Sequence, residues 1–340
     1  MDVVSPRRAR SLVARVYRET EEQFGVLAPP LALHSPAAAS LAATWLMLRE
    51  TLLVDGRVSR AVKETVATEV SRANDCPYCV QVHQAVLGTL PPDGGQAGLL
   101  RWVREAGRRP GGGAAGGGRS LPFSGEQAPE LCGVVVTFHY INRMVSLFLD
   151  DSPMPARTPT PLRGPIMRTT ALAMRPVGPG PLTPGASLDL LPPAPLPPGL
   201  EWAEGNPFVA QALGRAVAAV DQGAHWVPEP VRERLRTRLD TWDGSAPGLG
   251  RGWLDEAVSG LPPQDVPAAR LALLTAFAPY QVLPDDVEEF RQRRPTDREL
   301  VELTSYAALT TAVRVGRTLV VPDAAGPRRT LVVPDAAGPG

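Results

Sequence analysis

The stretch Lys63 to Leu87, KETVATEVSRANDCPYCVQVHQAVL, decides how the chain is read. Val62, Val66 and Val70 recur at helical spacing, and Asn74, Asp75 and Pro77 then interrupt the pattern. Asp75 suits an N-cap and Pro77 a first helical turn, so the C-x-x-C of Cys76 and Cys79 opens a new helix rather than lying inside one. Gly88, Pro91 and Pro92 close that helix. Cys76 and Cys79 are three residues apart and Cys79 and His83 four, so the three side chains share one helical face. Free amides at a helix N-terminus favour a thiolate, and a C-x-x-C placed there can titrate well below the roughly 8.5 of free cysteine. The thiolate is the form that attacks peroxides and disulfides. His83, one turn deeper, is placed to take the Cys79 proton, and Glu64 on the preceding helix to orient or recharge the imidazole.

Outward from this stretch the pattern stays helical. Leu12, Val13, Val16 and Tyr17, then Leu41, Trp45, Leu46 and Leu48, mark two amphipathic helices before that of Val62 to Val70. Trp102 and Val103 sit on a short helical piece. The glycines from Gly111 to Gly118 carry no G-K-[ST] ending, so they form a connector and not a phosphate loop. From Ala128 to Leu149 a helix is apolar nearly all round, which predicts burial in a core or subunit interface, and Pro153 and Pro155 stop it. Between Pro153 and Pro198 proline is frequent enough to predict extended, irregular chain. Helical pattern resumes over Trp202 to Val227, Val231 to Trp242, Trp253 to Leu261, Ala268 to Ala278 and Asp297 to Leu319. TLVVPDAAGP then occurs twice, from Thr318 and from Thr330. The expected organisation is all-α: a thiol redox domain over 1–150, a proline-rich linker over 151–198, a second helical domain over 199–317 and a low-complexity tail over 318–340.

Composition narrows the function. A chain of 340 residues with 44% apolar content can bury a large core, and two domains are the natural expectation. Thirty-five basic and 35 acidic residues cancel, which excludes an electrostatic grip on nucleic acid or anionic membrane and favours small molecules or proteins as partners. The first ten residues are charged with no apolar run behind them, and no uncharged apolar stretch approaches the roughly 20 residues that span a bilayer, so a cytoplasmic location is expected. Three cysteines, two of them in a C-x-x-C, point to redox or metal chemistry instead of a disulfide framework.

Glu64, Cys76, Cys79 and His83 together resemble alkyl hydroperoxidase D and its relatives in the carboxymuconolactone decarboxylase superfamily. The shared pattern is a glutamate, a cysteine twelve residues on, the C-x-x-C, and a histidine four beyond the second cysteine. The resemblance covers about Arg8 to Leu149, including FHYINRMV at Phe138 to Val145. It implies an all-α helical bundle assembling as trimers or hexamers, attack on hydroperoxide by Cys79, resolution by Cys76 as a disulfide, and proton movement by His83 and Glu64. It also implies an external dithiol reductant and no metal or organic cofactor. Well-studied members carry a histidine between the cysteines, where this chain has Tyr78; Tyr78 and Tyr140 are expected near the thiols. A fainter echo lies in RLALLTAFAPYQVLPDDVEEFR, Arg270 to Arg291, with Ala278 and Gln281 at the cysteine positions, and in YAALTTAVRVGRTL from Tyr306. The second half thus reads as a degenerate copy that completes a subunit interface.

Other readings stay open. Cys76, Cys79 and His83 with Cys132 or His139 would make four zinc ligands, and the dithiol could be an inert buried pair. Cys132 reads as a buried hydrophobe; His139, Asn142 and Arg143 read as makers of structural hydrogen bonds, and His34 and His225 as solvated or capping. The functional expectation is a thiol-dependent peroxidase or disulfide reductase. Its alternatives are a redox-sensing or binding module and a cofactor-free decarboxylase or lactone-processing enzyme.

Overall fold

Among the described residues every regular element of the chain is helical. The computed structural model describes residues 1–92, 97–106, 121–155, 157–174, 177 and 180–319. The glycine tract at 111–118 and the tail beyond 319 lie outside them. The first half comprises α1 (Ser11–Phe24), α2 (Pro29–Ala32), α3 (Ala38–Leu48), α4 (Arg60–Ala73), α5 (Pro77–Leu87), α6 (Ala97–Glu105) and α7 (Ala128–Phe148). After α8 (Thr160–Ala173) the second half adds α9 (Pro207–Gly223), α10 (Glu229–Thr241), α11 (Gly252–Val258), α12 (Val266–Phe277), α13 (Pro284–Arg291) and α14 (Asp297–Gly316).

Local chemistry sets most boundaries. α1 buries Val16, Tyr17, Thr20 and Phe24 along one stripe and ends at Gly25, whose φ of 85° is the left-handed conformation that glycine adopts without strain. The Ser59 hydroxyl accepts from the Val62 amide at the start of α4, and the Asn206 carboxamide accepts from the Phe208 and Val209 amides at the start of α9. α3 differs from the amphipathic expectation: Ser40 to Leu48 are all buried, because other helices cover it on every side. It runs on into a wider π-type turn, Arg49–Leu53, whose Arg49 and Glu50 pair with each other in the core.

α7 is buried from Ala128 through Val145. It is long and apolar enough to cross a membrane by length and composition alone, yet its surface is taken up by other helices. α14 packs along it, α4 and α5 lie on another side, and α9 covers α3, so residues from both halves form one continuous apolar core. Tyr140 marks the junction, with its hydroxyl 3.2 Å from Ser305 Oγ on α14 and 3.3 Å from Thr44 Oγ1 on α3. His34, expected at the surface, is fully buried beside the Tyr140 ring, and burial lowers its pKa to about 4. His225 is exposed near a helix end, 3.0 Å from the Gln222 carbonyl oxygen.

The proline-rich segment holds more regular structure than proline content predicts. α8 forms within it because Pro161 falls in the first turn, where amides lack helical partners, and Pro165 removes one hydrogen bond from an otherwise intact helix. α8 lies against α5, with Leu162, Ile166 and Leu172 exposed. Farther on, Leu188, Leu190, Leu191 and Leu200 anchor irregular chain to the core.

A buried ion pair joins α4 to α7. Lys63 Nζ lies 2.6 Å from Glu130 Oε2 and donates to the Val54 carbonyl, while Glu130 accepts from the Arg57 and Val58 amides. Lys63→Met leaves that carboxylate without its cation, so a loss of about 3–5 kcal/mol is expected in urea unfolding. Unchanged stability would show the pair to be dispensable.

Candidate active site

The C-x-x-C opens α5, as its prolines and polar residues predict, but the cap shifts by one residue. Cys76 is the N-cap, and Asp75 takes a φ of 49°, a left-handed conformation that aspartate tolerates better than most residues. Cys76 and Cys79 are free thiols, 1% and 2% exposed. They hydrogen-bond to one another. Donation from the Cys79 thiol lowers the Cys76 pKa despite burial, helped by the Cys79 backbone amide, the Ser146 hydroxyl and the Asn142 carboxamide. Cys79 is held well above the ordinary thiol range because it donates to Cys76, is buried, and faces the charge of Cys76. The two shifts run in opposite directions, so Cys76 gives up a proton more readily than Cys79.

Beneath the thiols, Glu64 of α4 meets His83 of α5, with Oε2 2.6 Å from Nδ1. The other carboxylate oxygen accepts from Arg60 Nε, one turn back on α4, at 2.8 Å, with Nη2 in ion-pair contact at 2.6 Å. Burial alone would raise the Glu64 pKa; the charges of Arg60 and His83 and their hydrogen bonds outweigh it and bring it to about 2. The His83 ring also stands edge-on to Phe138 of α7, with centroids 4.6 Å apart. Among the described residues no hydrogen bond joins His83 to either thiol.

Sequence spacing thus brings Glu64 and His83 together and places the dithiol at the head of the same helix. Tyr78 is buried beside the thiols, and burial with the cysteine charges raises its pKa to about 12, which keeps the phenol neutral. Tyr140 does not join the site; its partners are Thr44 and Ser305. Cys132 is a buried thiol with its pKa pushed up by desolvation. Among the described residues no three histidine, cysteine or acidic side chains are grouped to hold a metal ion.

Arg60 and Ser146 escaped the sequence reading, and Asn142 was read there only as a maker of structural hydrogen bonds. Arg60 was visible only as an i, i+4 partner of Glu64, a spacing shared by many surface pairs. Asn142 and Ser146 repeat at four residues on an apolar helix, and that repeat was the available signal. In the structure Asn142 faces both thiols, accepts from Asn74 Nδ2 at 3.0 Å and donates to Ser71 Oγ at 3.1 Å.

An all-α bundle with a dithiol at a helix head, above a glutamate–histidine pair, defines a class of helical thiol proteins. Residues 39–87 match the model of the carboxymuconolactone decarboxylase family. The chain is also 35% identical over 332 residues to an alkyl hydroperoxide reductase of Mycobacterium tuberculosis, covering 93% of each chain. It belongs to the alkyl hydroperoxidase D-like carboxymuconolactone decarboxylase family.

The depressed Glu64 pKa gives a signed pH dependence. A carboxylate at about 2 when folded and 4.5 when unfolded contributes stability fully present above 4.5 and lost as pH falls towards 2. The unfolding free energies of wild type and Glu64→Gln are expected to converge by about 3 kcal/mol over that window. Parallel curves would show that Glu64 is not held as a buried anion.

Proposed function

We propose that this chain reduces hydroperoxides at the Cys76–Cys79 pair and is recharged by an external dithiol. The observation that carries the reading is the hydrogen-bonded dithiol at the head of α5, one turn above the buried Glu64–His83 contact. The M. tuberculosis relative's name, an alkyl hydroperoxide reductase, agrees with it.

The resemblance gives the attack to Cys79, whose proton must first be removed because its thiol donates to Cys76. Cys79, once deprotonated, attacks the outer oxygen of the hydroperoxide; the O–O bond breaks, the alcohol leaves with a proton, and Cys79 becomes a sulfenic acid. Cys76 then attacks the Cys79 sulfur and gives its thiol proton to the departing hydroxide, so that water leaves and the disulfide closes. Two electrons and two protons from the external dithiol restore the pair. The Cys79 proton has two exits. One is Cys76, to which it already hydrogen-bonds; the other is His83, four residues along α5, reached through a water or a side-chain rotation and recharged by Glu64.

The second half has no chemistry at the matching place. Ala278 and Gln281 stand where the thiols would, and the Gln281 carboxamide is occupied with Trp253 and Gly248. Pro279–Tyr280 follow α12 in a short turn before α13, whereas Pro77–Tyr78 follow α4 as the first residues of α5, a partial parallel that supports a degenerate copy. Its α14 covers α7 within one chain.

With excess dihydrolipoamide, the wild type is expected to consume peroxide catalytically. Cys76→Ser and Cys79→Ser should each abolish turnover, and Glu64→Ala should slow it by about 10²-fold. In a single turnover, Cys76→Ser should accumulate a sulfenic acid at Cys79 that a dimedone-type reagent traps. Trapping only at Cys76, in Cys79→Ser, would reverse the two roles. An inactive wild type with both thiols free would refute the peroxidase in favour of a redox sensor; activity that survives loss of both cysteines would point to the decarboxylase-type reading.

A further inference from the structure

A cavity of about 100 Å³ lies between the two halves. That is several times the roughly 10–15 Å³ a single water needs. One wall is α7, which presents His139 and Arg143 one turn apart; Trp242 and Tyr280 of the second half face them. Asn74 and Asp75, immediately before Cys76, and Arg104 of α6 also line it.

Arg143 is the unusual member. It is 6% exposed, and its Nε donates to the Ala276 carbonyl at 3.0 Å and its Nη1 to the His139 carbonyl at 2.7 Å. Among the described residues no carboxylate pairs with it and no hydrogen bond occupies its Nη2. The Trp242 ring, with its centroid 6.0 Å from the guanidinium carbon, supplies only a weak cation–π contact. Burial lowers its pKa to about 10, which leaves it charged at neutral pH. Buried guanidinium groups are ordinarily paired, because desolvating a lone cation costs several kcal/mol.

His139 adds a donor. Its Nδ1 lies 3.2 Å from Arg143 Nη1 and so accepts, which places the ring proton on Nε2; burial and the adjacent cation keep the ring neutral. Arg104 brings a second positive charge, partly engaged by Glu69 at 3.3 Å. Asp75 is the carboxylate of the lining, and it is solvent-exposed, so its repulsion is screened.

We propose that this cavity binds the oxyanion group of a small molecule, a carboxylate or a phosphate, anchored by Arg143 and seconded by the His139 Nε2–H. A guanidinium fork suits either anion through paired hydrogen bonds. Trp242 and Tyr280 offer apolar surface to the remainder of the ligand. Asn74 both lines the cavity and donates to Asn142, which faces the thiols, so an occupant sits one hydrogen bond from the network around the dithiol. The binding itself does not depend on the peroxidase reading.

Calorimetric titration of the full-length protein with inorganic phosphate, and separately with glutarate, tests this at constant ionic strength with chloride as the reference. Saturable one-site binding of one anion is expected, and which anion binds identifies the ligand class. Arg143→Met should weaken it at least about tenfold, and Arg143→Lys by less, since lysine keeps the charge but not the fork. Arg104→Gln, on an exposed side chain, should weaken it a few-fold without disturbing the fold, which keeps the test valid if Arg143→Met does not fold. Cys79→Ser should bind as wild type does, so failure here and failure of the peroxidase reading are told apart. No saturable binding of either anion, or binding unchanged by the Arg104 and Arg143 substitutions, would overturn the proposal and leave Arg143 as a brace between α7 and α12.

Discussion

Glu64 has no contact with solvent, and an uncompensated carboxylate in that place would cost several kcal/mol. Arg60 and His83 supply the compensation, and they do so from different helices: Arg60 from the same turn-to-turn row of α4, His83 from α5. The contact therefore fixes how α5 lies on α4. Since Cys76 and Cys79 begin α5, the same contact fixes where the thiols stand, and Asn142 and Ser146 of α7 can then close over them. Loosening the Glu64–His83 pair would disturb position and protonation together, which ties the folding of this region to its chemistry.

α7 distributes the rest. A helix turns about 100° per residue, so neighbours in sequence serve different surroundings. Phe138, Asn142 and Ser146 form one row, facing His83 and the dithiol. His139 and Arg143 form the adjacent row, facing α12 and the cavity. Tyr140 points to α3 and α14. A helix buried over most of its length can carry polar side chains only because they find a partner or a cavity. α7 is thus the element through which the thiol site, the cavity and the second half meet.

Much of this was legible locally. The hydrophobic periods predicted α1, α4, α7, α9, α10, α12 and α14, because burial of one face repeats at the helical spacing whatever the partner. The spacings among Cys76, Cys79 and His83 implied one face, since helix geometry alone enforces it. Asp75 and Cys76 show the limit: residue preferences favoured aspartate as the cap, but the chain reverses at Asp75 and leaves Cys76 in the capping position. α8 shows another, because proline content is a local average, whereas a helix tolerates proline according to where in its turns the proline falls.

By itself, the sequence determined the helical class, the position of the C-x-x-C at a helix head, and the spacing that puts Cys79 and His83 one turn apart, all set within one or two turns. The tertiary structure decided that Asn142 and Ser146, on a helix some 65 residues away, reach the dithiol. It also decided that Tyr140 belongs to the core, that His34 is buried, and that Arg143 is left without a carboxylate on the wall of a cavity. Those outcomes depend on which surfaces meet across long stretches of chain, and neither residue type nor spacing encodes them.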